Sequence, residues 1–308
     1  MLEYGRTSTG TGRTVTQILW DPAMLARQML GRVRDLTLMP DAREQIRRKA
    51  RSVVAGYAAA KDLWNQASSL SAMLRQTQRE YEDRFLYELI QNAYDAHPSD
   101  ADGEISIMLD EDEGDHGVLY IANRGNPFSA ENFEAICELA QSNKTLDESI
   151  GNKGVGFKSV LQVCEWPEIY SRHRPSSPGF DGYCFTFARL DAYVALADGD
   201  QELAAAMRRD VSPYFLPVAL DDEPATVSGF GRDGFATVIR LPLKSKRAAE
   251  VSRDRVARLE SESVPFHLFL RRLRSLRISR VADGEASSLS LTRDAMLVDD
   301  PARDEDQR

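Results

Sequence analysis

At His97-Pro98 the hydrophobic period of this chain changes. Before it, apolar residues recur at helical three-and-four spacing over about 22–33, 41–70 and 71–96, with Pro40 separating the first two stretches. After it, short runs rich in branched and aromatic residues take over, at 104–109, 118–123, 183–190 and 235–243. Proline lacks an N–H and its ring clashes with the preceding turn, so the helical first third ends there. The acidic, glycine-bearing stretch 110–117 predicts a hairpin between the first two strands. Further helices are expected over about 130–139, 198–209 and 248–259, with one starting near Gly156, and a long loop is expected after 209. The segment 265–281 passes from helix to strand. Because strands joined as hairpins alternate with helices, the pattern predicts an α/β two-layer sandwich. Its mostly antiparallel mixed sheet carries helices on one face, and a helical extension precedes it.

Composition narrows the function classes. A chain of 308 residues, 42% hydrophobic and 28% charged, can bury a real core. It contains no run of roughly 20 apolar residues, as a membrane span needs, and its first fifteen residues lack the apolar block of a signal peptide. The expectation is a cytoplasmic protein with no membrane partner. Cys137, Cys164 and Cys184 are odd in number and widely spaced, which suggests neither a disulfide frame nor a zinc site but buried thiols. The net charge of −9 disfavours a general nucleic-acid binder, which needs a basic face to displace counterions.

Three segments could carry chemistry. In YELIQNAYDA (87–96), Glu88, Asn92 and Asp95 fall at i, i+4 and i+7, a narrow polar stripe beside the apolar face of Leu86, Leu89, Ile90 and Ala93. Such a stripe is ordinarily just solvated. An amide oxygen one turn from a carboxylate can nevertheless ligate a hard cation without overcharging it, while the carboxylate orients and deprotonates a water. In IANRGNPFS (121–129) the composition is that of a tight turn. There Asn123 ends a strand where it could bond a base edge, and Gly125 stands where backbone must approach a flat ring. In SIGNKGVGFKSV (149–160), glycines before a helix start let consecutive N–H groups and the positive end of the helix dipole face an anion. This is not a P-loop, because no Gly-Lys-Ser/Thr follows at the required spacing. Lys144, Lys153 and Lys158 could add charge, although lysines beside glycines are commonly only solvated.

Each segment is weak alone, but their order is specific. Together they resemble the ATPase family shared by gyrase, the ninety-kilodalton heat-shock chaperones, histidine kinases and MutL proteins (GHKL), which has the Bergerat nucleotide-binding fold. FLYELIQNAYDAH, NRGNPFS, IGNKGVGFKSV and PFHLFLRRLRSLRI look most like its sacsin-type, chaperone-like branch, over roughly residues 70–281. The resemblance implies a helical extension over 1–69, an ATP-binding domain over 70–285, and a C-terminal strand with a charged tail over 286–308 that can lead into further domains. It implies ATP and Mg2+ as cofactors, with Glu88 as the base for the hydrolytic water, Asn92 as the magnesium ligand and Asp95 as support for the pocket. Asn123 stands where the family usually has an aspartate that reads the adenine amino group, and Gly125 would let the base approach. Gly151, Gly154, Val155, Gly156 and Phe157 would form the phosphate turn, with Lys144 and Lys158 beside it. Thr237 would join the adenine contacts, and residues 141–150 would be a lid. Two departures stand out: Asn123 loses the charge of an aspartate, which bears on base selectivity, and Pro127 replaces a second glycine, which stiffens the turn.

The resulting expectation is magnesium-dependent ATP binding with slow hydrolysis that drives a conformational, chaperone-like or assembly cycle, in a homodimer or with attached domains and an unidentified protein client. A kinase reading lacks an acceptor: the histidines are His97, His116, His173 and His267, none on an upstream helix. Two alternatives stay open. One is a nucleotide-sensing interaction module without useful turnover. The other is an ATPase module of a DNA-processing or defence system, with Arg271, Arg272, Arg274, Arg277 and Arg280 as the candidate nucleic-acid contact. Leucines interleaved among those arginines favour an amphipathic segment instead.

Overall fold

An eight-stranded mixed sheet forms the centre of the structure, a computed structural model that describes residues 41–61, 84–99, 102–138, 157, 159–261 and 271–292. The chain divides into two compact units, Met1–Asp41 and Ala42–Arg308, and the elements below belong to the second. The helix expected over 22–33, the stretches 62–70 and 71–83, most of the glycine segment and the charged tail lie outside the described residues.

The strands are β1 (Gly103–Asp110), β2 (Val118–Asn123), β3 (Glu168–Ser171), β4 (Phe185–Phe187), β5 (Pro217–Ala219), β6 (Thr237–Pro242), β7 (Leu273–Ala282) and β8 (Glu285–Thr292). Their order across the sheet is β5-β4-β3-β6-β2-β1-β7-β8, and every pairing is antiparallel except β1 with β7. The hairpin expected at 110–117 joins β1 to β2. A second hairpin joins β7 to β8 through Asp283-Gly284, both at positive φ, the backbone that a two-residue turn between twisted strands requires. The Asp112 carboxylate accepts both turn N–H groups, at 2.9 and 2.8 Å.

Seven α-helices are described: α1 (Ala42–Ala59), α2 (Phe85–Asp95), α3 (Ala130–Glu138), α4 (Ala192–Leu196), α5 (Gln201–Asp210), α6 (Ala225–Arg232) and α7 (Lys246–Ser261). Side chains alternate along a strand, so Ile105, Ile107 and Leu109 of β1 and Leu119 and Ile121 of β2 point to one face. There they meet Ala42 and Ile46 of α1, Phe85, Leu86, Leu89 and Ile90 of α2, Phe133 of α3, and Val256 and Leu259 of α7 in one core. Each large side chain buried this way contributes roughly 1.5–3 kcal/mol. Phe133 stacks on Tyr183 at 5.1 Å and meets Phe185 edge-on at 5.2 Å, which locks α3 to β4.

The expected two-layer α/β sandwich is therefore present, with one addition. Val118, Tyr120 and Ala122 of β2 form a second cluster on the opposite face, capped by Val227 and Phe230 of α6. This helix falls within the loop expected after 209. Its Thr, Val, Ser and two glycines are poor helix formers, and burial of Val227 and Phe230 one turn apart overrides that propensity. The end of α1 (Val53, Tyr57) packs with α4, α5 and Phe215 into a third cluster. The strand expected over 183–190 shortens to three residues, and the chain turns into α4 just after the exposed Leu190.

Candidate functional site

Helix α2 owes its position to Phe85, Leu86, Leu89, Ile90 and Ala93, all buried. Glu88, half-buried, sits in its first turn, where a carboxylate also complements the helix dipole. Asn92 and Asp95 are exposed on the surface away from the core. At the C-terminal end, the His97 ring donates from Nδ1 to the Ala93 carbonyl at 2.8 Å, and Asn126 N–H bonds the Ala96 carbonyl at 2.7 Å. Burial pushes the His97 imidazole below its ordinary pKa.

The turn 124–129 thus closes directly on the end of α2, and this gives Gly125 a concrete job. A Cβ built on it would stand 2.6 Å from the Ala96 carbonyl oxygen and 2.7 Å from its carbon. The close approach the structure records at Gly125 is to the helix end. Arg124 lies 5.1 Å from the Phe235 ring centroid and pairs with Glu104 at 3.1 Å. Phe128 N–H donates to Ser171 Oγ at 2.8 Å. Ser129 and Asn132 then bond reciprocally across the first turn of α3, with Ser129 N–H donating to Asn132 Oδ1 at 3.0 Å and Asn132 N–H to Ser129 Oγ at 3.2 Å.

Asn123 and Thr237, proposed from separate parts of the sequence, are direct partners across β2 and β6, and Thr237 is in turn the partner of Ser171 on β3. By strand alternation all three face the helix layer. All three are buried, at 6%, 5% and 0% exposure. Ser171 Oγ and Thr237 Oγ1 are 3.0 Å apart. The Asn123 backbone carbonyl is satisfied by Ala236 N–H at 2.8 Å, yet its side-chain Nδ2 is buried without a partner among the described residues. Native interiors rarely leave such a donor unmet. The sequence alone does not reveal Ser171, because EIYS is too short to show a strand's period; the isoleucine-tyrosine pair at 169–170 is the available signal.

Of the glycine segment, Gly151, Gly154, Val155 and Gly156 lie outside the described residues, as do Lys144 and Lys158. Phe157 is buried in the same core as α2. The short 3-10 helix Ser159–Gln162 that follows packs against α2, with Val160 and Leu161 buried, and Lys244 Nζ holds the Leu161 carbonyl at 2.6 Å. The helix expected near Gly156 is thus, from Ser159 on, a 3-10 turn.

A cavity of about 410 Å³ lies on the opposite face of the sheet, lined by residues that include Glu168, Tyr170, Asp221, Glu223 and Arg240. None of the residues proposed from the sequence lines it. Arg240 bridges Glu113 and Glu168, at 2.8 Å to each, beside the hydroxyl of Tyr120.

Other residues singled out earlier have structural duties. Arg272 stacks over Tyr94 and bonds the His97 carbonyl, Arg277 pairs with Glu104, and Arg280 pairs with Glu111. Cys137 and Cys164 are buried and Cys184 partly so; burial pushes the Cys164 thiol up to about 12 and that of Cys184 up to about 11. No helix among the described residues is long and apolar enough to cross a membrane.

Comparison with known proteins adds two findings. A family model described as "SACS: Sacsin domain" matches residues 67–291. The chain is also similar to "Protein NO VEIN" of Arabidopsis thaliana, with 28% identity over 217 residues; the match spans 66% of this chain and 7% of that protein's length.

Proposed function

The chain belongs to the Sacsin domain family, and from that premise we propose that it is a GHKL-type module of Bergerat fold that binds ATP with magnesium and hydrolyses it slowly to drive a conformational cycle. The observation that carries the reading is the buried row Asn123–Thr237–Ser171, whose orphaned amide donor faces the helix layer that contains α2. An unmet donor flanked by hydroxyls fits the hydrogen-bonding edge of a purine. The packing of Phe157 and 159–162 with α2 brings the end of the glycine segment to the helix that bears Glu88 and Asn92.

Each residue then has a role. Asn123 and Thr237 hold the base edge, with Thr237 oriented by Ser171. The backbone N–H groups of Gly151, Gly154, Val155, Gly156 and Phe157 hold the phosphates, and Lys144 and Lys158 add positive charge. Asn92 Oδ1 offers a neutral oxygen to magnesium, Asp95 supports the pocket through water, and the Glu88 carboxylate accepts a proton from the attacking water. Magnesium, when bound, supplies charge neutralisation at the phosphates. Residues 141–150 exclude solvent as a lid. ATP-driven pairing of two protomers, or action on a protein client through attached domains, belongs to the same proposal.

A second reading is favoured by the place of Glu88 in the first turn of α2, where its charge also serves the helix. In that case ATP orders the surface without useful turnover. Calorimetric titration with ATP and magnesium, followed by single-turnover hydrolysis, on the wild type and Glu88→Gln tests both. Binding by both proteins with hydrolysis lost in the variant is the expected result. Equal hydrolysis leaves only the sensor, and absence of binding ends the proposal.

A further inference from the structure

The row Asn123–Thr237–Ser171 carries more than a place for a purine. A carboxylate at position 123 accepts hydrogen bonds and, when ionised, donates none, so it selects a base that presents an exocyclic amine. The amide of Asn123 has one accepting and one donating end. Its backbone carbonyl is already used by Ala236 N–H, and its buried Nδ2 meets no partner among the described residues. The donating end therefore waits for an acceptor.

The neighbouring hydroxyl is equally two-sided. Ser171 Oγ accepts from Phe128 N–H at 2.8 Å, so its own hydrogen is available elsewhere. It lies 3.0 Å from Thr237 Oγ1, and either oxygen can donate to the other. When Ser171 donates to Thr237, the Thr237 hydrogen is free to meet an acceptor. When Thr237 donates to Ser171, lone pairs of Thr237 are free to meet a donor. Ser171 has fallback acceptors in the carbonyls of Ala236 and Arg172, both at 3.3 Å, so the switch strands no hydroxyl hydrogen.

A 6-aminopurine presents a donor at N6 and an acceptor at N1; a 6-oxopurine presents an acceptor at O6 and a donor at N1. The pair Asn123 and Thr237 can answer either pattern, the first with Oδ1 toward the base and the second with Nδ2. Resting on the nucleotide reading above, we propose that this site takes 6-oxopurine triphosphates as well as ATP, with Asn123 as the specificity-determining residue and Ser171 as a positioning residue for Thr237.

The test is calorimetric titration of the full 308-residue chain with ATP, ITP and, as a pyrimidine control, UTP, each with magnesium. Inosine is chosen over guanosine because it changes the 6-position and N1 without adding a 2-amino group. The wild type is expected to bind ATP and ITP within about tenfold of each other, and UTP much more weakly. Asn123→Asp is expected to shift the ratio toward ATP by about tenfold or more, since the 6-oxo group then faces an acceptor. The wild-type ratio stands as a test even if a buried carboxylate prevents that variant from folding. ATP binding with ITP weaker by about a hundredfold, or a folded Asn123→Asp with an unchanged ratio, overturns the proposal while leaving the ATP reading intact. Failure to bind any nucleotide overturns both.

Discussion

Gly125→Ala gives the most direct check on how the turn 124–129 is held. The φ of Gly125 is not among the positive values, so alanine incurs no left-handed strain and the whole effect comes from contact. The new methyl would meet the Ala96 carbonyl oxygen at 2.6 Å, its carbon at 2.7 Å and His97 N at 3.0 Å. All are backbone atoms at the end of α2, which cannot swing aside as a side chain can. Forcing a methyl into packed surroundings costs about 1–3 kcal/mol. If the turn lifts to make room, the 2.7 Å bond from Asn126 N–H to Ala96 is lost as well, adding about 1 kcal/mol. A loss of about 2–4 kcal/mol in total is expected, which at a urea slope of about 1–3 kcal/mol/M moves the midpoint by on the order of 1 M. Gly179→Ala is the control, because its Cβ meets no heavy atom within 4 Å. It should stay within about 0.5 kcal/mol of wild type. The measurement is urea unfolding followed by circular dichroism without nucleotide. If Gly125→Ala is as stable as the control, the helix end is not what demands glycine here, and the close approach must serve something else.

Arg240→Ala removes the guanidinium between Glu113 and Glu168 and leaves two sheltered carboxylates facing each other; thermal and urea unfolding should show a loss of about 3–5 kcal/mol, and a loss under about 1 kcal/mol would mean the pairs are effectively solvated. His97 has its pKa lowered by burial, so below its unfolded value of about 6.5 the unfolded chain binds a proton that the folded chain resists. Its contribution to stability is whole above that value and is lost as pH falls toward the folded pKa. Stability should therefore drop between pH 7.5 and 5.5 more in the wild type than in His97→Asn, whose amide can replace the bond to Ala93; equal slopes would remove His97 as the cause.

Much of the fold was legible because it follows local rules. The period change at Pro98, the stripe on α2, the hairpin at 110–117 and the buried run of β2 are written in neighbouring residues, and each appears at or near its expected place. The misses share one physical cause. Helix α6 exists because Val227 and Phe230 find Tyr120 and Val238 across the sheet, and β3, β4 and β5 are too short to show a period of their own. Asp283-Gly284 was a turn signal present in the sequence, and β8 was expected there only as a C-terminal strand.

By itself the sequence supplied the candidates for chemistry: Glu88, Asn92, Asn123 and the glycine segment through residue type and spacing, which are local properties, and Thr237 through the resemblance of its strand. It also determined a mixed α/β chain, since hydrophobic period is local too. Only the tertiary structure decided that Asn123, Thr237 and Ser171 stand side by side, that Ser171 ties the turn to the sheet, and that Gly125 yields its side-chain space to a helix carbonyl. Those facts depend on strand order and register, which pair residues 66 and 114 positions apart by burying a shared face; no window of sequence contains that information.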